Sequence, residues 1–134
     1  MIDKEVYTMQ KSPFGLCDIL LGIFYKFKNN KFVNDRVLIH SAFWELKNKY
    51  PLLKDIVFKK NILFPESQML DEAFYALQPE FLGKINPSFD FFQIKKDRIN
   101  LFWDKKLKNY LTSEEDQLNQ IAEELEKFLQ ISKI

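Results

Sequence analysis

The sequence predicts a mainly α fold with a small β-hairpin (α+β): three helices, a short antiparallel hairpin, then a long C-terminal helix. Three observations predict it. Apolar residues recur at helical spacing in three successive stretches between Pro13 and Gln78. Two short apolar runs, "FLGKI" and "FFQIKK", are split by the turn "NPSFD". The stretch Thr112–Ile131 is a strongly amphipathic repeat that opens on Thr, Ser and three acids.

Residues 1–11 read as an N-terminal tail or edge element. Ser12 and Pro13 suit the N-cap and first position of a helix. The helix continues as "FGLCDILLGIFYKFKN", apolar nearly all round, which places it in the middle of the domain. Lys28–Lys31 ends it. Asn34 or Asp35 caps the second helix, in which Leu38, Ile39, Ala42, Phe43 and Leu46 form one stripe. Pro51 stops it, because Tyr50 before a proline is pushed out of the helical region. "LLKDIVFKKNILFP" gives either two short extended pieces or an irregular, partly buried connection.

The third helix starts near Ser67 and ends near Gln78, burying Met69, Leu70, Ala73, Phe74 and Leu77. Pro79 closes it and the hairpin follows. Asp97–Leu107 fits two readings, a third strand or a helix that uses Ile99, Phe102 and Trp103. The last helix has Thr112 or Ser113 as N-cap, with Glu115 or Asp116 completing a capping box. Leu118, Ile121 and Leu125 carry its stripe. With no repeat and no linker, the whole chain 1–134 reads as one domain, with a core over 12–110 and a terminal helix over 112–131.

The stretch from Phe64 to Ile94, through Leu70, Leu77, Gly83, Ile85 and "FFQI", resembles the helix-plus-wing part of prokaryotic winged-helix (winged helix-turn-helix) proteins. "QPEF" lengthens the step from helix to strand relative to that pattern. The resemblance implies a winged-helix-like fold that acts by macromolecular binding, since the family holds transcription regulators and modules that bind only protein.

Charge bears on which. Net charge is +1, so no global field draws the chain to nucleic acid or a membrane surface. From Glu66 to Glu80 there are four acids (Glu66, Asp71, Glu72, Glu80) and no base, which is wrong for a helix entering a groove lined by phosphates. From Lys84 to Lys108 there are seven bases (Lys84, Lys95, Lys96, Arg98, Lys105, Lys106, Lys108) against three acids. These bases, interleaved with aromatics, are the candidate nucleic-acid contacts, although lysines that solvate an outer face over an aromatic core are the favoured account of them. DNA is therefore disfavoured by the third helix and kept open by the basic stretch. Thr112–Ile131 carries six acids and one Lys, to cover this chain's own basic region or that of a second copy.

The first expectation is a regulator or adaptor. The alternative is an obligate subunit or toxin-neutralising partner. For an interface with a protein or a second copy, Trp44, Tyr75 and Trp103 are the candidate anchors; Leu118, Ile121 and Leu125 either form a dimer stripe or cap this chain's own core. A remote alternative is an enzyme using Cys17 and His40, the single cysteine and single histidine. Three scattered glycines exclude a glycine-rich phosphate loop. No cysteine–histidine cluster suggests a metal, and no cofactor is expected. Met1–Gly15 has no secretory pattern, and no apolar run nears the roughly 20 residues of a membrane span. The expected location is cytoplasmic.

Overall fold

The computed structural model describes residues 15–60, 63–84 and 90–129. The tail at 1–11, the Ser12–Pro13 cap, Asn61 and Ile62, the Asn86-Pro87-Ser88 turn and the helix end beyond 129 lie outside the described residues. The elements are α1 (Leu16–Lys26), β1 (Lys31–Val33), α2 (Arg36–Lys47), α3 (Gln68–Ala76), β2 (Leu82–Lys84), β3 (Phe91–Ile94), α4 (Lys96–Phe102) and α5 (Glu115–Leu129). The chain is thus mainly helical with a small three-stranded antiparallel sheet, in the order β1-β3-β2.

α1 is central, as its apolar circumference demands. Every residue from Ile19 to Phe24 is buried, and α3, α4 and α5 pack around it. Gly22 lets α5 come close: a Cβ there would lie 3.0 Å from Leu118 Cδ1 and 3.3 Å from Leu111 Cδ1. At the C-terminus of α1, Lys96 Nζ donates to the Tyr25 and Phe27 carbonyls at 3.2 and 2.5 Å, meeting acceptors that a helix end leaves open.

β1 is an element that the sequence analysis did not anticipate. Three residues between asparagines carry no readable alternation. The strand exists because β3 pairs with it, Lys31↔Gln93, Phe32↔Phe92 and Val33↔Phe91. Phe32 then points inward at 1% exposure and stacks on Phe24 at 5.2 Å between ring centroids. Phe74 and Phe92 close the same aromatic cluster. The expected hairpin is therefore two strands of a three-stranded sheet.

Capping follows local chemistry in two of three places. Asp35 Oδ1 accepts from the Leu38 amide at 3.1 Å, and Ser67 Oγ from the Leu70 amide at 3.2 Å. The capping box at Thr112–Asp116 does not form. Thr112–Glu114 makes a 3-10 turn instead, and the Thr112 hydroxyl donates back to the Lys108 carbonyl.

Asp97–Leu107 is helical, not a strand. α4 widens into a π turn at Trp103–Leu107 and ends with a further helical turn at Lys108–Tyr110. Ile99, Trp103, Leu107 and Leu111 are all buried at a strict four-residue step. That step overshoots the 3.6-residue turn of an α-helix, so an unbroken helix would rotate the stripe away from the core; the wider π turn takes up the overshoot. The connection after Pro51 is irregular. It has a 3-10 turn at Pro51–Leu53, buried Leu52, Leu53 and Ile56, and a two-residue pairing of Lys59 with Glu66.

Four of the six side chains expected at an interface are instead buried within the chain. Leu118, Ile121 and Leu125 are each 0% exposed, because α5 lays its stripe on α1 and α2 of its own chain. Trp103 is 3% exposed and stacks on Tyr25 at 4.3 Å, with the Lys26 ammonium over both rings. An amphipathic helix buries its stripe on the nearest apolar surface, and α1 supplies that surface within the chain. The acids of α5 serve the same packing. Glu115 pairs with Lys26, Glu124 with Lys49 and Tyr50, and Glu126 accepts from the Lys28 and Asn29 amides.

Candidate interaction face

The acidic third helix acquires a base from elsewhere. Arg36, in the first turn of α2, makes a two-pronged contact with Asp71: Nε to Oδ1 at 3.0 Å and Nη2 to Oδ2 at 2.6 Å. Its Nη2 also donates to Glu66 Oε2 at 2.8 Å. Hydrogen bonding from Arg36 holds the Asp71 carboxyl below its ordinary value, and the two carboxylates hold the guanidinium above its own. Phe64 lies under the guanidinium, 5.3 Å from its carbon.

His40 completes the cluster from below. It is 2% exposed. Its Nδ1 accepts from the Ser67 amide at 3.0 Å and its Nε2 meets Asp71 Oδ1 at 3.0 Å. Burial is the largest influence on the ring and lowers its pKa, with Asp71 opposing.

The outward face of α3 is built on this cluster. Gln68 Nε2 donates to Glu72 Oε2 at 2.8 Å along the helix, and Tyr75, one turn on, is 80% exposed. An open groove of about 530 Å³ runs beside it, between Val57 and Lys59 on one wall and Met69, Asp71 and Glu72 on the other. Val57 is 66% exposed and Leu63 81%. Next to the groove, and sharing Lys59 with it, is a smaller apolar hollow of about 240 Å³ where Trp44 meets Phe58 edge-on at 5.2 Å. Of the aromatic anchors expected from sequence, Tyr75 and Trp44 are thus on this side and Trp103 is not.

The basic residues divide by role. Lys96 is turned inward onto α1, and burial lowers its pKa. Lys95 lies over Gly83, where a Cβ would come within 3.3 Å of its Cε. Arg98 faces Glu80 at 3.8 Å, both more than half exposed. Lys84, Lys105, Lys106 and Lys108 are exposed. Lys106 is close enough to Asp18 to oppose the rise that burial gives that carboxyl. Lys31, absent from the expected set, stands on the outer face of the sheet beside Gln93, over the Phe91 ring.

Cys17 and His40 form no dyad, because both ring nitrogens of His40 are committed to Ser67 and Asp71. Burial, with Asp18 adding to it, pushes the Cys17 thiol up, away from the thiolate that a nucleophile needs. Among the described residues, no three side chains of the metal-binding types come together and no helix is long and apolar enough to cross a membrane.

Sequence reasoning missed Arg36, which is 35 positions from Asp71. No local signal links them. The exposed Val57 and Leu63 were hidden inside a run read only as mixed.

No family model, no curated protein and no solved structure matches this chain.

Proposed function

We propose that the chain is a winged-helix-like module that acts by macromolecular contact, as a non-catalytic regulator or adaptor, and that α3 presents its contact face to a protein. The order of parts supports the first half: three helices, a hairpin whose second strand also pairs with β1, then further helix. One observation carries the second half. Among the described residues α3 itself carries no base, and Arg36, which reaches its face, is held by two carboxylates, so the helix offers a phosphate no free cation of its own; Lys59 stands across the groove. Phosphate contact depends on such cations. Exposed Tyr75, Val57 and Leu63 stand beside that face instead, and aromatic and aliphatic side chains in this setting suit a protein partner.

Two measurements test the reading. Purified chain is titrated with random duplex DNA at two salt concentrations, and no saturable complex is expected at either. A salt-sensitive complex that weakens when Lys84, Lys95 and Arg98 become alanine replaces the reading with a nucleic-acid contact led by the hairpin. A photo-crosslinking residue placed at position 75 in cells is expected to give protein adducts that the same residue at position 105 does not. Adducts to nucleic acid at position 75 would reverse the assignment.

A further inference from the structure

His40 lies beneath the α3 face with both ring nitrogens spent across an element boundary. The Ser67 amide can only donate, so Nδ1 is an acceptor and carries no proton. The ionised Asp71 carboxylate can only accept, so Nε2 is the protonated nitrogen. The geometry therefore requires the neutral ring in one tautomer. Ser67 is itself 0% exposed and caps α3 through its hydroxyl. One residue is thus held by His40 and holds the helix.

A proton on Nδ1 brings two N–H donors face to face. Turning the ring over gives no relief, since both nitrogens then carry protons. The buried Ser67 amide is left without an acceptor, which a folded structure tolerates poorly. The charged groups facing the ring are Asp71 from α3, Arg36 from α2 and Glu66 from the segment entering α3. Asp71 and Glu66 favour the added charge and Arg36 opposes it. Arg36 also shares Asp71 Oδ1 with the ring, at 3.0 Å from its Nε.

We propose that His40 is an acid-released latch on α3: protonation at Nδ1 and detachment of the Ser67 amide are a single event that frees Ser67 and the first turn of the helix. Its bearing on partner binding rests on α3 being the contact face; the latch itself does not.

The test is a pH titration of the isotopically labelled full chain by NMR, following the His40 ring carbons and the Ser67 amide together. Both are expected to move with one midpoint, below the ordinary histidine value of 6.5. Between 6.5 and that midpoint the exchange protection of the Ser67 and Leu70 amides is expected to fall by about tenfold per pH unit, the signature of opening coupled to one proton, and to level off below it. Ile39 and Ile121 amides stay protected. His40→Gln supplies an oxygen for Ser67 and an N–H for Asp71 but does not titrate, so the Ser67 transition disappears. Three results overturn the latch: His40 titrating at or above 6.5, its titration leaving the Ser67 amide unmoved, or the Ser67 transition surviving in His40→Gln. If that variant fails to fold, the two midpoints in the unsubstituted chain decide alone.

Discussion

The stretches Glu66–Glu80 and Lys84–Lys108 carry equal and opposite charge in the sequence, and the fold treats them differently. In the acidic stretch, Glu66 and Asp71 are drawn onto one remote guanidinium, and Glu80 faces Arg98. In the basic stretch, Lys96 is half-buried as a cap on the end of α1 and Lys95 covers a glycine, while Lys105 and Lys108 remain at the surface. A charge sum along the chain therefore overstates the field of the acidic helix and conceals a structural lysine within the basic run. What decides each charge is the partner that the fold brings to it.

The largest expected effect separates Lys96 from its neighbours. Lys96→Met keeps the aliphatic stem and removes the two hydrogen bonds to the Tyr25 and Phe27 carbonyls. A loss of about 2 kcal/mol is expected in urea unfolding, since the lost bonds involve a charged donor at a half-buried helix end. A change below about 0.5 kcal/mol, in the range of ordinary surface substitutions, would return Lys96 to the solvated set.

The next effect tests the acidic side. Asp71→Ala removes both prongs from Arg36, leaving only its Nη2 bond to Glu66 among those described, and strands the Nε2–H of His40. Because the carboxylate is partly exposed, the expected loss is only about 1–2 kcal/mol. Glu72→Ala, on the same helix and bonded along it by Gln68, is expected to change stability by less than about 0.5 kcal/mol. Equal losses from both would mean that Arg36 confers no distinction on Asp71.

Much of the local architecture was legible in the sequence, and the reason is chemical. Asp35 and Ser67 cap helices because a short oxygen-bearing side chain before an apolar repeat meets the free amides of the first turn. Pro51 and the apolar runs at Leu82 and Phe91 mark their elements equally locally. β1 was not legible, since its pairing with β3 joins residues some sixty positions apart. The same holds for the candidate face. Tyr75 was readable as an outward aromatic, but Arg36 and His40 reach α3 only in three dimensions. The stripe of α5 was read correctly as apolar, while its destination, this chain's own α1, was a tertiary fact.

pH sharpens the contrast at the acidic cluster. The folded pKa of His40 is depressed, so the unfolded chain binds the proton more readily. Its contribution to stability is fully present above 6.5 and is lost as pH falls from there toward the lower folded value. Asp71 is also depressed, and its contribution is lost only below the ordinary carboxyl value of 3.8. Unfolding free energy measured across this range is expected to start falling near 6.5 and to fall further below 3.8. His40→Gln removes the upper fall and leaves the lower one.

The smallest expected effect belongs to the exposed end of the basic stretch. Lys105→Ala with Lys108→Ala is expected to shift the unfolding free energy by less than about 0.5 kcal/mol, because neither side chain is buried. The stripe beneath them, Trp103, Leu107 and Leu111, supplies the packing, and long lysine stems over such a stripe keep their charge in water. A null result in stability is therefore informative only beside the Lys96→Met loss, and the pair belongs in one experiment. If the double variant instead loses as much as Lys96→Met, the run acts as a unit and its charges are structural throughout. If stability holds but weak salt-dependent DNA binding disappears, these two lysines carry a nucleic-acid contact that the face of α3 does not supply.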